Sequence, residues 1–314
     1  MELFKRTTQI DFMARRRLAL PLSALLLVVA IVGLVLRGLS FGIDFTGGVL
    51  VEVRYPQQAV LTDVRRQLAD AGFEGAVVQY FGTPTDVLIR LAPGDEGAPV
   101  QSEQLSERVL QALRQDAAAQ ITVERVEYVG PQVGQELANQ GGLALLVALF
   151  GILVYVSVRF EWRLALGAVG ALVHDVLVVL GLFAWAQVSF DLSVLAAVLA
   201  VIGYSLNDTI VVFDRIRDGF LEMRRATPPE VVNVSINQTL SRTLMTSGTT
   251  LLVLIALALF GGTVIQPFAI ALIAGIVIGT YSSIYVASVL ALGLGVSRVN
   301  LLKPQRQDKP DAQL

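Results

Sequence analysis

The stretch at 243–297 decides the fold: it reads TLMTSGTTLLVLIALALFGGTVIQPFAIALIAGIVIGTYSSIYVASVLALGLGVS and contains no charged residue. As one helix these 55 residues would be about 80 Å long, whereas the hydrocarbon core of a bilayer is about 30 Å thick. The chain must therefore turn back once, and Gly261-Gly262 and Pro267 mark the turn. The stretch predicts two transmembrane helices, at 243–260 and 266–297.

Four earlier apolar runs are also long enough to cross a bilayer as helices, which needs about 20 residues. The first is flanked by arginines and resembles a signal sequence, but it is too long for a cleaved one and no A-x-A site follows it. Helices are favoured because a lipid-exposed strand or loop would leave backbone groups unpaired. The sequence predicts a polytopic α-helical membrane protein with six transmembrane helices, the first four at 18–36, 137–158, 164–187 and 192–213.

The composition supports this fold class and excludes several functions. Of the 314 residues, 54% are hydrophobic and 16% are charged, against about 25% charged in an average soluble domain. The chain has no Cys and one His, which excludes a disulfide scaffold and a multi-histidine metal centre and argues against a His-based catalytic triad. We therefore predict no cofactor, no metal and no enzymatic activity.

Lys and Arg are distributed unevenly along the chain, which predicts its orientation. Five lie in 1–17, two in 159–163, five in 214–242 and four in 298–314, whereas the loops at 187–191 and 261–266 contain none. By the positive-inside rule both termini are cytoplasmic, with 214–242 as a cytoplasmic loop and 298–314 as a cytoplasmic tail. The segment at 37–136, with eight basic and fourteen acidic residues between Arg37 and Gln140, must then lie outside the cytoplasm.

This outside segment has the pattern of one small α+β domain. Alternating apolar residues predict strands and apolar residues at helical spacing predict helices, in the order strand 48–55, helix 61–72, strand 76–81, strand 86–91, helix 102–115, strand 121–129. That order is the ferredoxin-like, or split βαβ, arrangement. The domain contains no catalytic pair and no nucleotide-binding loop, so we expect it to be a docking or moving part.

Asp208 is the leading candidate for a functional residue, since it lies in a polar insertion, GYSLNDT at 203–209, within an apolar helix. Ionisable groups inside a membrane are costly and indicate function by default. A carboxylate balanced between the cost of burial and the attraction of a cation can take up and release a proton. The alternative is a packing residue satisfied by Ser or Thr neighbours.

Arg242 is the candidate partner of Asp208. Because the fourth helix runs inward and the fifth runs outward, both residues lie toward the cytoplasmic half of the membrane. A long arginine side chain could span part of the gap between them. The alternative is that Arg242 is only an interfacial anchor.

Four further polar residues are candidates for a secondary relay. His174 and Asp175 lie near the middle of the third helix, where they either extend a proton path or only satisfy each other within the bundle. Asn207 belongs to the polar insertion, and Thr246 belongs to the unusually polar start of the fifth helix. Small residues spaced for close helix contact occur in GAVG at 167–170 and GIVIG at 275–279.

The quoted motifs together resemble the SecD/SecF family of bacterial protein-export membrane proteins, and within it the SecF subunit. FGIDFTGG at 41–48 is similar to the family's entry signature, GYSLNDTIVVFDRIR at 203–217 to its fourth-span signature, and LSRTLMTSG at 240–248 to the start of its fifth span. The His174-Asp175 pair and the six-span layout also fit. The resemblance covers nearly the whole chain and relates it to the RND superfamily.

The resemblance implies a function in protein export across the bacterial inner membrane. SecF pairs with SecD in a twelve-span complex that associates with the SecYEG channel, with YajC and YidC as further candidate partners, and acts on unfolded preproteins rather than nucleic acid. The complex is thought to use the proton-motive force, or sodium in some marine relatives. The family's proton-path carboxylate and arginine correspond to Asp208 and Arg242, and a second key carboxylate belongs to SecD.

Two other functions remain open from the sequence. An RND-like exporter subunit for lipids or small molecules would share the charged spans and the outside domain, but its chain would be longer and two-halved. A structural subunit of the translocon without ion coupling would tolerate neutralisation of Asp208.

Overall fold

The computed structural model of the chain describes residues 8–92, 102–114 and 121–298. In chain order its elements are α1 (Phe12–Leu36), β1 (Ser40–Phe41), α2 (Ile43–Thr46), β2 (Gly48–Arg54), α3 (Leu61–Asp70), β3 (Val77–Phe81), β4 (Thr83–Leu91), α4 (Ser102–Arg114), β5 (Thr122–Val129), α5 (Pro131–Arg159), α6 (Trp162–Ala186), β6 (Ser189–Phe190), α7 (Leu192–Glu222), α8 (Pro228–Phe260), α9 (Gln266–Ser282), a π-helical turn (Ser283–Ala287) and α10 (Ser288–Gly293). Residues 1–7 of the predicted N-terminal segment, 299–314 of the predicted tail and Gln115 of the second domain helix lie outside the described residues.

Six helices of the described chain are long and apolar enough to cross a membrane, which confirms the predicted number. They are α1, α5, α6, α7, α8 and a sixth helix made of α9, the π-helical turn and α10. Helices α6 and α7 are central, since 56% of the residues in the apolar 18-residue stretch of each helix are buried, against 11% for α5. Large side chains of these two helices are fully buried, among them Phe183 of α6 and Ile202 and Phe213 of α7.

Between α1 and α5 the chain forms an α/β domain, residues 48–129, around a four-stranded sheet. The strand order is β3-β4-β2-β5, and each pair of neighbours is antiparallel. Val51 on the central strand lies opposite Ile89 and Val126, and α3 and α4 contribute Leu68 and Leu113 to the same core. The strands and helices have nearly the bounds that the sequence predicts.

A small parallel sheet, the junction sheet, joins this domain to the helices. Strands β1 and β6 pair through Ser40 with Ser189 and Phe41 with Phe190. Arg90 of the domain donates hydrogen bonds to the carbonyl oxygen of Phe41 and, at 3.0 Å, to Ser189 Oγ. Burial lowers the pKa of Arg90, but a guanidinium of such high intrinsic basicity stays charged.

The segment at 214–242, expected as a cytoplasmic loop, is helical except at 223–227. Helix α7 continues to Glu222 and α8 begins at Pro228, where Thr227 and Glu230 form a capping box. The two helices extend together because apolar side chains recur at helical spacing on both and pack against each other, among them Ile216, Phe220, Val231, Val232 and Ile236.

The chain before α1 is fastened to α8 by two asparagines. Asn233 Oδ1 accepts from the backbone N–H groups of Phe12, at 2.8 Å, and Met13. Asn237 accepts from the N–H of Ile10 and donates to its carbonyl oxygen, at 2.9 and 2.8 Å. These amides pair backbone groups at the first turn of α1 and just before it, where a helix leaves N–H groups without partners one turn earlier.

Candidate functional site

Asp208 lies on α7 at the point where three helices meet, and its side chain is buried: the residue is 5% exposed. Thr243 of α8 donates a hydrogen bond to Oδ1 at 2.8 Å, and Ser283 of the π-helical turn donates to Oδ2 at 2.7 Å. Each carboxylate oxygen thus has a neutral hydroxyl donor. Hydroxyls both donate and accept, so the same neighbours suit the charged and the protonated carboxyl group.

Arg242 does not touch Asp208. It precedes Thr243 on α8, its side chain is exposed, and it interacts with Asp208 electrostatically. No ion pair within 4.0 Å joins the two among the described residues. Among the described residues, hydroxyl groups and not Arg242 therefore make the direct contacts with Asp208.

Asp175 is a second buried carboxylate, on α6, with no exposed surface. Its Oδ2 accepts hydrogen bonds from Ser205 of α7 and Ser282 of α9, both at 2.6 Å. Its Oδ1 lies 2.9 Å from Nδ1 of His174, a residue only 2% exposed. Nε2 of His174 has no hydrogen-bond partner among the described residues.

Asn207 and Thr246 are not part of this buried network. Both side chains are exposed at the surface of the bundle. The Thr246 hydroxyl donates to backbone carbonyls of its own helix, those of Arg242 and Thr243, at 3.1 and 3.0 Å. The structure therefore brings His174 and Asp175 close to the buried hydroxyls, and leaves Asn207 and Thr246 outside.

Ser or Thr neighbours were the alternative environment predicted for Asp208, but the sequence did not single out the serines that supply most of the donors. Ser205 is inside the quoted signature, and Ser282 and Ser283 interrupt the last apolar run. A possible signal was that adjacent serines in a buried membrane helix need hydrogen-bond partners. Their partners are carboxylates far away in the sequence, so the pairing becomes visible only in the fold.

Glycines let the helices that carry these groups approach closely. A Cβ atom at Gly275 would overlap the Val201 side chain, and one at Gly279 would lie 3.1 Å from Cβ of Ser205. On the other side of the sixth helix, a Cβ at Gly167 would lie 2.8 Å from the carbonyl oxygen of Ala287. These contacts confirm the close packing predicted for both small-residue motifs.

No cluster of metal-ligating residues occurs in the part of the chain that the structure describes. The two carboxylates have neutral donors around them, with one imidazole next to Asp175. Every hydroxyl group hydrogen-bonded to the two carboxyl groups can either donate or accept a hydrogen bond, so the contacts do not fix one state of either acid.

Comparisons with known families give two matches. Residues 109–297 match the family described as "Protein export membrane protein SecD/SecF, C-terminal". Residues 32–59 match the "SecD/SecF GG Motif", a segment that includes Gly47 and Gly48, both with positive φ, at the start of the α/β domain.

Similar proteins are named "Protein translocase subunit SecF". The one from Pseudomonas aeruginosa is 50% identical, with 96% of this chain and 97% of that protein covered. The one from Vibrio alginolyticus is 49% identical, with 97% and 96% covered. Among solved structures, the crystal structure of SecDF, a translocon-associated membrane protein from Thermus thermophilus, has a TM-score of 0.82 and 38% identity. That match covers 93% of this chain and 39% of the SecDF chain.

Proposed function

Because this chain belongs to the SecF proteins of the SecD/SecF protein-export family, we propose that it couples the proton-motive force to the export of preproteins. It does so in a complex with SecD. SecD supplies the other six helices of the complex and a second carboxylate. The match to part of the longer SecDF chain supports this pairing. The complex acts at the SecYEG channel in the bacterial inner membrane, with YajC and YidC as further candidate partners.

The observation that carries the proposal is the setting of Asp208. Its carboxyl group is buried between α7, α8 and the sixth helix, with hydroxyl donors in contact and no cation within 4.0 Å among the described residues. A fixed salt bridge would hold the charge permanently, whereas neutral donors tolerate both states of the acid. We assign Asp208 as the proton carrier and Arg242 as the nearby charge that favours release of the proton.

The energy available is sufficient to shift a conformational equilibrium. A potential of 100 mV supplies about 2.3 kcal/mol per charge that crosses the membrane. That free energy shifts a two-state equilibrium by roughly fifty-fold. Each proton passing Asp208 can therefore favour one arrangement of the helices over the other.

The α/β domain is the part that the helices would move. Its element order and antiparallel sheet support a ferredoxin-like domain, which we place outside the cytoplasm, with both chain termini and the α7–α8 connection inside. Arg90 and the junction sheet connect it to the ends of α1 and α7, so that helix movement is passed on to the domain.

Replacing Asp208 with Asn tests the proposal. In membrane vesicles that contain SecD and the channel, an imposed proton-motive force should no longer accelerate preprotein export, because Asn carries no exchangeable charge. Asp208→Glu should retain part of the acceleration. Asp218→Asn is the matched control: it removes an exposed carboxylate from the same helix and should leave export unchanged. Equal membrane levels and equal co-purification with SecD are required of every variant.

Full acceleration in the Asp208→Asn variant would refute ion coupling through this residue. It would favour a structural subunit, in which Asp208 only packs the helices. Export of small apolar molecules by the vesicles would instead favour an RND-like exporter.

A further inference from the structure

Two consecutive serines on the sixth helix contact both buried carboxylates. Ser282 Oγ donates to Asp175 Oδ2 at 2.6 Å, and Ser283 Oγ donates to Asp208 Oδ2 at 2.7 Å. The carboxylates belong to different helices, α6 and α7, and both serines are fully buried. A single peptide unit therefore connects the hydrogen-bond partners of the two acids.

Each of these serines has a second acceptor within reach. Ser282 Oγ lies 3.2 Å from the carbonyl oxygen of Gly279, and Ser283 Oγ lies 3.0 Å from that of Thr280. A hydroxyl has one hydrogen and can donate to one acceptor fully at a time. When a carboxyl group takes up a proton, the serine oxygen can accept from it while the serine hydrogen turns to the backbone carbonyl. The change needs no movement of heavier atoms.

The serines lie where the sixth helix changes its winding. The π-helical turn begins at Ser283, and Ser288 Oγ donates to the Ser283 carbonyl oxygen at 3.1 Å. Single π-helical turns inside α-helices occur often at functional sites. Consecutive residues of a helix point about 100° apart, so Ser282 and Ser283 face two different partner helices.

The other groups around the two acids are few. His174 contacts Asp175 from the same helix, and Ser205 of α7 donates to Asp175 at 2.6 Å. Thr243 donates to Asp208, and Arg242 acts on it from α8 at longer range. His174 and Arg242 are thus the ionisable groups that face the pair, and neither bridges the two carboxylates.

We propose that Ser282 and Ser283 are positioning residues that couple Asp175 to Asp208, so that a change of protonation at one acid alters the hydrogen bonding of the other. The coupling rests on the proposed role of Asp208 as the proton carrier. Through this coupling, the hydrogen bonds of the sixth helix depend on the protonation of both acids. No proton passes between the two acids.

Infrared difference spectroscopy tests the coupling without measuring export. The full chain, purified with SecD and placed in lipid, gives carboxyl and carboxylate bands, and the bands of Asp175 are those lost in Asp175→Asn. Asp208→Asn imitates a neutral carboxyl at 208, and we expect it to shift the Asp175 bands. In the Ser282→Ala/Ser283→Ala background the same substitution should cause no shift.

Ser288→Ala is the matched control, since Ser288 is equally buried on the same helix but donates only to a backbone carbonyl. In that background Asp208→Asn should shift the Asp175 bands as in the unmodified chain. If the double variant does not accumulate, Ser283→Ala alone removes the link to Asp208 and should also abolish the shift.

Two results would overturn the coupling. The first is that Asp208→Asn leaves the Asp175 bands unshifted when both serines are present. The second is that it shifts them equally in the Ser282→Ala/Ser283→Ala background. Both are independent of the export assay. If the infrared bands show no coupling but Asp208→Asn impairs export, the coupling is refuted and the proposed function stands. If the bands show coupling but Asp208→Asn does not impair export, only the proposed function is refuted.

Discussion

Arg90 fastens the α/β domain to the junction sheet, and we expect Arg90→Met to loosen this attachment. The side chain is only 9% exposed, and its guanidinium donates to the Phe41 carbonyl and the Ser189 hydroxyl. Hydrogen bonds to a charged group stabilise by about 1.5–3 kcal/mol each. Removing the charge from water offsets part of this gain. The net stabilisation of the junction is therefore about 2 kcal/mol.

A loss of about 2 kcal/mol raises the equilibrium constant for local opening roughly thirty-fold. The reporter is the N–H of Gly42, which donates to the Phe190 carbonyl at 2.8 Å beside the junction sheet. Hydrogen–deuterium exchange of the full chain in lipid nanodiscs, read on the peptide that contains Gly42, measures the opening. Met keeps an unbranched apolar stem but is shorter than Arg by the guanidinium group, so the change removes the donors while most of the packing of the stem is kept.

Arg65→Met is the control for Arg90→Met. Arg65 lies in the same domain and donates to the Val78 carbonyl at 2.7 Å, away from the junction sheet. Exchange at Gly42 should be unchanged in this variant. Equal exchange at Gly42 in Arg90→Met and the unmodified chain would refute the role of Arg90, as would equal acceleration by both variants.

Two further predictions concern the stability of the domain and of the helix bundle. The hydrogen bond from Arg54, at 2.7 Å, holds the pKa of Asp86 below its usual value. The ionised Asp86 therefore stabilises the folded domain. This stabilisation is complete above about pH 3.9, the pKa in the unfolded chain, and is lost as the pH falls through the lower pKa of the folded state. Asp86→Asn should lower the protection factors of β4 amides at pH 7 and flatten their acid dependence; an unchanged acid dependence would contradict the assignment. Gly279→Val should destabilise the bundle by about 1–3 kcal/mol, because the added side chain meets Ser205, whereas Gly248→Val, where nothing lies within 4 Å, should not. Unfolding midpoints in detergent measure both, and equal midpoints would refute the steric argument.

The six helices could be predicted because the signal is local. Run length, hydropathy and turn residues decide whether a segment can cross a bilayer, and each is read from neighbouring positions. The contacts of Gly275 and Gly279 also followed from spacing, since small residues four apart lie on one face of a helix. The candidate acids followed from the same reasoning, because a carboxylate inside an apolar run is exceptional.

Ser or Thr neighbours were the predicted alternative for Asp208, but which residues they are could not be predicted, since that depends on how distant helices pack. Sequence position suggested Arg242 for Asp208, but the contacts come from Thr243, one residue further along α8, and from Ser283 on the sixth helix. One residue along a helix rotates the side chain by about 100°, which separates a buried donor from an exposed cation. The role of Arg90 was hidden for the same reason, because its acceptors lie outside its domain.

The two asparagines that hold the segment before α1 have a consequence for how the protein is made. Asn233 and Asn237 are more than 200 residues later in the chain than the backbone groups they bind. A ribosome releases the start of α1 long before it has synthesised α8. The first helix can enter the membrane early, but the hydrogen bonds at its N-terminal end form only after α8 has been synthesised.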